Sequence, residues 1–197
     1  MTLDDRSREC LQTRRITDFS VIAQLYKSRL KNDFARNELK PLASIRRLWD
    51  RDAYDCYGLF FQEEILGYAF FVRIGKNFLF DYFAIEAGHR NEGLGSVFLR
   101  QLTACLTDAD CVVGEVEDPD KAENGAEQAL RERRLQFYLR SGCRRTDLTA
   151  TVFGADYRIL EVPTARVHTT EELRAIYTDI YQTILPARFL KTQFRVD

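Results

Sequence analysis

Residues 90–96 read Arg-Asn-Glu-Gly-Leu-Gly-Ser, between an aromatic, apolar run at 78–85 and a helix-patterned segment at 97–106. A strand, a glycine turn and a helix start in that order make an anion site. Backbone N–H groups at the helix start lack intrahelical partners, the helix dipole adds partial positive charge, and glycine lets a ligand approach the main chain. The pattern predicts a phosphorylated ligand. Two familiar phosphate loops fail on spacing. A dinucleotide fingerprint needs a third glycine where Phe98 stands, and a P-loop needs a lysine between the glycine and the hydroxyl residue, whereas Gly95 meets Ser96 directly. In isolation, the pattern also fits an ordinary turn whose glycines relieve backbone strain.

Two carboxylates stand in apolar surroundings. Asp81 lies in the aromatic run, and Glu115 lies in Val-Val-Gly-Glu-Val at 112–116. A carboxylate in such a run implies a cleft or a partner, either a proton-transfer role or a salt bridge to one of the arginines. Glu115, Glu117, Asp118, Asp120 and Glu123 form an acidic group that favours a cationic ligand or else makes a solvated loop. Arg131 and Arg134 share a helix face at i, i+3. The five cysteines are scattered without a Cys-x-x-Cys pair, and there are only two histidines, so no metal is expected and no cysteine is marked as a nucleophile.

These residues need elements to hold them. Apolar spacing predicts a strand at 11–17, a helix from Asp18 as N-cap, a short helix near 42–49, and strands at 56–62, 65–74 and 78–86 joined by hairpin-length turns. A helix at 94–107, a strand at 111–116, an acidic loop at 117–125, a helix at 126–140 and a strand pair at 147–162 follow. The helix between the strands at 78–86 and 111–116 makes that pair parallel. Thr169-x-x-Glu172 has capping-box spacing ahead of a stripe of Leu173, Ile176, Tyr177, Ile180 and Ile184. The expected fold is mixed α/β, of α+β character: a central, mostly antiparallel sheet with one parallel pair at the ligand cleft, flanked by helices.

Composition fits this reading. The 197 residues are 45% hydrophobic and 30% charged with a net charge of −1, which suits a globular domain and gives no general grip on nucleic acid. No apolar run is long enough to span a membrane, and the N-terminus lacks the apolar stretch of a signal peptide. A cytoplasmic protein with reduced thiols is expected.

Taken together, Tyr-Phe-Ala-Ile at 82–85 and Arg-x-x-Gly-x-Gly at 90–95 resemble the GNAT superfamily of acyl-CoA-dependent N-acyltransferases. The segment Leu-Gln-Phe-Tyr-Leu-Arg-Ser-Gly at 135–142 is similar to that family's late tyrosine helix, and the order of elements over 11–160 agrees. Cys143 replaces the family's usual aromatic, and the segment after Val116 is longer and more acidic than in a minimal member. The resemblance implies acetyl-CoA as acyl donor, with its diphosphate held by Arg90, Asn91, Glu92, Gly93, Leu94, Gly95 and Ser96 and its pantetheine beside Phe83, Ala84 and Ile85. Arg131 and Arg134 stand where many members carry Asn and a small residue; their shared helix face reaches the coenzyme's phosphates or else forms a solvated rim. Acyl transfer needs a neutral amine, a stabilised oxyanion and a proton for the departing thiolate. The resemblance makes Tyr138 the acid and points to a carboxylate in the Asp81 region as base, while Glu115 stays a candidate base from its apolar strand alone.

The expected reaction is direct acetyl transfer to a primary amine, on a small molecule or a peptide, without a nucleic acid or membrane partner. The alternative is a non-catalytic acyl-CoA-binding or interaction module. Residues 11–162 are expected to form the acyltransferase domain. Residues 163–197 are expected to add a helical extension that packs on it or forms a homodimer contact.

Overall fold

The computed structural model describes residues 10–36 and 38–197. The chain divides into two compact units. Of the described residues, the first contains 10–36, 38–73 and 81–105, and the second contains 74–80 and 106–197.

In the first unit, β1 (Leu11–Arg15), β2 (Tyr54–Phe61), β3 (Glu64–Ile74) and the second half of β4 (Asn77–Ile85) follow one another in the sheet. β1 pairs antiparallel with β2, and β2 with β3, through a register shift between Leu59 and Phe60. Gly67 of β3 lets β4 come close: a Cβ there would meet Ile85 Cδ1 at 2.7 Å and the Ala84 carbonyl at 3.1 Å. Helices complete this unit. In α1 (Phe19–Leu25) the Asp18 side chain accepts the Ser20 N–H as N-cap, and the chain runs on through a π-helical turn, Tyr26–Leu30. The short α2 (Leu42–Trp49) buries Ile45. The longer α3 (Leu94–Cys105) buries Leu94, Phe98, Leu99 and Leu102 at helical spacing, each fully buried side chain worth about 1.5–3 kcal/mol.

In the second unit, the first half of β4 pairs parallel with β5 (Cys111–Glu117) through Asn77–Cys111, Phe78–Val112 and Leu79–Val113. β5 pairs antiparallel with β7 (Ala155–Val162), and β7 with β6 (Arg144–Val152). The sheet is thus mostly antiparallel with one parallel pair, as expected. α4 (Gly125–Arg140) starts at Asn124, whose side chain accepts the Glu127 N–H.

Residues 163–197 belong to this second unit. α5 (Thr170–Ile184) opens with the expected capping box and buries Leu173, Tyr177, Ile180 and Tyr181. Two further elements follow that periodicity did not reveal: α6 (Ala187–Gln193) and β8 (Phe194–Val196), which pairs antiparallel with β6. Seven- and three-residue elements are too short to carry a periodic signal. β6 also begins at Arg144 rather than 147, because the charged Arg144 and Arg145 pair with Glu161 and Leu160 of β7 regardless of hydropathy. No helix among the described residues is long and apolar enough to cross a membrane.

Replacing Thr169 with Ala removes one half of the capping box. Unfolding in urea is expected to show a loss of about 1 kcal/mol; an unchanged midpoint would mean that the box adds nothing to α5.

Candidate functional site

The strand-to-helix turn is built as the sequence suggested. After Ile85 the chain makes a 3₁₀ turn, Ala87–His89, and Asn91 (φ 66°) and Gly93 (φ 80°) then adopt left-handed conformations. The Gly93 carbonyl accepts from Ser96 N at 3.1 Å and Val97 N at 3.3 Å, so it closes the first turn of α3. The N–H groups of Leu94 and Gly95 precede that first bond, and helix geometry points them out of the N-terminus. A Cβ built on Gly93 would meet nothing within 4 Å, so the space at the turn is open. Asn91, Gly93 and Ser96 are exposed, whereas the Leu94 side chain belongs to the core. An anion fits this turn through backbone donors.

Two side chains expected in the cradle also brace it. Arg90 donates from Nε to the Ile85 carbonyl at 3.0 Å and from a terminal nitrogen to Asp33 at 2.5 Å, which ties the turn to the end of β4 and to α1's continuation. Asp33 also accepts the Tyr68 hydroxyl at 2.7 Å. The Glu92 carboxylate stands 3.2 Å from His89 Nδ1. Phe83 stacks on Phe98 with centroids 5.4 Å apart, so it joins β4 to α3.

Asp81 sits further back on β4 with its side chain 5% exposed. Lys40 Nζ contacts one carboxylate oxygen and the Tyr54 hydroxyl donates to the other. Burial, and next the Asp81 charge, push the Tyr54 phenol well above its usual pKa, which keeps it a donor. The backbone N–H of Lys40 donates to the Tyr82 hydroxyl at 2.7 Å.

In the second unit, Glu115 is held by α5: the hydroxyls of Tyr177 and Tyr181 both donate to its Oε1, the latter at 2.6 Å. Tyr181 stacks on Phe194 at 4.6 Å. Burial and the Glu115 charge raise the Tyr177 pKa far above that of a free phenol. Arg131 pairs with Glu127 at 2.7 Å and Glu117 at 3.2 Å and donates to the Asp118 carbonyl, and Arg134 pairs with Glu117 at 2.6 Å. Arg158 takes Asp118 at 2.9 Å and Asp120 at 2.5 Å. The acidic group therefore has cations of its own. Tyr138 lies on α4, its ring edge-on to Phe137 at 5.0 Å. Burial, and then Cys143, raise its phenol pKa, so the hydroxyl keeps its proton at neutral pH.

Sequence reasoning missed Lys40, Tyr54, Tyr177 and Tyr181 as partners of these carboxylates. It also missed a buried group in which ligand-capable atoms of Cys111, Glu161 and His168 lie within 4.8 Å of one another. There His168 Nδ1 meets Glu161 at 2.6 Å, and Arg144 Nε donates to the other Glu161 oxygen at 2.7 Å. Burial pushes the Cys111 thiol up to about 12, with Glu161 and Asp110 adding to it. Only the i, i+4 spacing of Tyr177 and Tyr181 gave a local signal, two hydroxyls on one turn of a buried stripe.

No protein-family model and no curated protein matches the sequence. Solved structures do match. A GNAT-family protein of Bacteroides thetaiotaomicron aligns with 88% of this chain and 97% of its own at TM-score 0.71 and 20% identity. The ribosomal-protein-S18-alanine N-acetyltransferase of Escherichia coli aligns with 81% of this chain and 97% of its own at TM-score 0.52 and 14% identity. An acetyltransferase of Bacillus subtilis in complex with CoA aligns with 77% and 96% at TM-score 0.51 and 12% identity. The chain has the fold of the GNAT acetyltransferases.

Glu115→Ala takes the shared acceptor from two tyrosine hydroxyls. Urea unfolding is expected to lose about 2 kcal/mol, and Glu115→Gln, which keeps a carbonyl acceptor, is expected to lose less. Equal losses would show that the charge, not the hydrogen bonds, anchors α5.

Proposed function

We propose that the protein is an N-acetyltransferase that moves an acetyl group from acetyl-CoA to a primary amine by direct transfer, with both substrates bound together. The turn at 90–96 carries this reading: open space over Gly93, outward N–H groups at the start of α3, and a brace that holds them to the end of β4. Coenzyme A in the Bacillus subtilis neighbour and an alanine amine as acceptor of the Escherichia coli neighbour support the donor and the acceptor class.

In this reading the outward N–H groups of Leu94 and Gly95 hold the diphosphate at the turn 90–96, and the backbone of Phe83, Ala84 and Ile85 lines the pantetheine. The donor supplies an activated thioester. The Glu86 N–H goes to the Leu66 carbonyl of β3, so in the alternation of a strand the Ile85 N–H faces the other way and is the donor to the thioester's carbonyl oxygen as negative charge develops. Asp81 takes the proton from the acceptor's ammonium, because a neutral amine is the nucleophile. We assign the base to Asp81 rather than Glu115 because Asp81 already binds an ammonium, whereas Glu115 Oε1 is engaged by two phenols. Tyr138 gives its proton to the departing sulfur. Arg131 and Arg134 serve the phosphates only if they leave the carboxylates of Glu117 and Glu127, so their part is secondary.

Two variants test the assignment. Gly93→Val places a β-branched residue at φ 80°, and calorimetry on the folded variant is expected to show CoA affinity down about tenfold or more. Tyr138→Phe is expected to keep CoA affinity while thiol release with amine acceptors falls about a hundredfold. Unchanged affinity in the first would remove the cradle, and unchanged turnover in the second would remove the acid. CoA binding without thiol release across amines, polyamines, amino acids and peptides would favour an acyl-CoA-binding module.

A further inference from the structure

Asp81 lies at the base of a small aromatic enclosure in the first unit. Lys40 Nζ, which contacts its carboxylate, stands 5.9 Å from the centroid of the Tyr82 ring. Phe34 and Phe70 meet Tyr82 edge-on at 4.9 and 6.3 Å, and Tyr54 meets Phe70 at 6.1 Å while its hydroxyl holds the second Asp81 oxygen. A carboxylate among aromatic rings is the chemistry that recognises an alkylammonium. The Lys40 side chain is 28% exposed whereas that of Asp81 is 5% exposed, so the lysine is the member of the pair that meets solvent.

The Lys40 main chain is fixed independently of its side chain. Its N–H donates to the Tyr82 hydroxyl at 2.7 Å and its carbonyl accepts the Tyr26 hydroxyl at 3.0 Å, while Tyr82 in turn donates to the Glu38 carbonyl at 3.1 Å. The side chain can therefore swing out without moving the loop that carries it. Exchange of one ammonium for another leaves the charge beside Asp81 unchanged, so neither state strands a bare buried carboxylate.

We propose that the enclosure of Asp81, Tyr54 and Tyr82 is the acceptor's ammonium subsite, and that Lys40 is a resident competitor that fills it until the acceptor arrives. The acceptor is then a primary ammonium on an unbranched aliphatic stem, shaped like the lysine it displaces. This rests on the acetyltransferase reading, with Asp81 as its base. The same chemistry is offered by a free diamine and by a lysine side chain of a peptide.

The test is calorimetry on the full chain with n-butylammonium, cadaverine and Nα-acetyl-lysine amide. Lys40→Met is expected to bind n-butylammonium about fivefold more tightly than the unaltered chain, the scale of one competing ion pair removed. Lys40→Arg should bind no more tightly than the unaltered chain, and Asp81→Asn should lose binding. Tighter binding of cadaverine or of the lysine amide identifies the source. Should Lys40→Met fold poorly, nitrogen-labelled lysine in the unaltered chain serves instead: n-butylammonium is expected to shift the Lys40 Nζ resonance. Unchanged affinity in Lys40→Met, or an unmoved resonance at saturating n-butylammonium, overturns the proposal. CoA binding and thiol release are followed in parallel. Acetyl transfer without displacement of Lys40 sinks the subsite alone, and ammonium binding without thiol release sinks the acetyltransferase reading alone.

Discussion

A carboxylate inside a strand has to be neutralised where it stands, and much of this structure follows from that requirement. Asp55, Asp81 and Glu161 occupy strands with side chains 5% exposed or less. Withdrawing an ionised carboxylate from water costs several kcal/mol unless partners replace the lost hydration. Each carboxylate therefore recruits groups from other segments of the chain. Asp55 takes Arg15 and Arg73, Asp81 takes Lys40 and Tyr54, and Glu161 takes Arg144 and His168. Glu115 solves the same problem with two phenols from α5. In both units the acidic side chain decides which loop or helix lies against the strand.

The two candidate bases differ in the partners they recruit. A phenol pushed to high pKa by burial is a donor that cannot carry charge at neutral pH, so Glu115 is matched by fixed dipoles. Asp81 is matched by one such phenol and one mobile cation. Fixed dipoles dock a helix permanently. A cation on a flexible stem leaves room for exchange, and exchange is what a binding site needs.

What the sequence made legible was local. The turn at 90–96 declared itself through glycine spacing, α5 through Thr169 and Glu172, and the strands through aromatic and β-branched runs. Their order was enough to anticipate the parallel pairing of β4 and β5. The partners of the carboxylates were not legible, because Lys40 and Asp81 are 41 residues apart and Glu115 and Tyr177 are 62 apart, with no period linking them. Arg90 shows the same limit within the turn itself. Its place in the motif suggested a phosphate ligand, yet its guanidinium went to Asp33, 57 residues away, and to the Ile85 carbonyl. α6 and β8 escaped for another reason: they are short, and pairing with β6 rather than hydropathy defines β8.

The division of β4 has a consequence for dissecting the chain. Residues 74–80 supply β5's parallel partner but precede the last segment of the first unit. A single cut after Cys105 therefore separates the first unit intact and leaves the remainder without that partner. Cys111, Val112 and Val113, all nearly inaccessible in the whole chain, would then line a bare apolar sheet edge. Such an edge templates association with other strands. The C-terminal half is thus a self-adhesive fragment rather than a separable module.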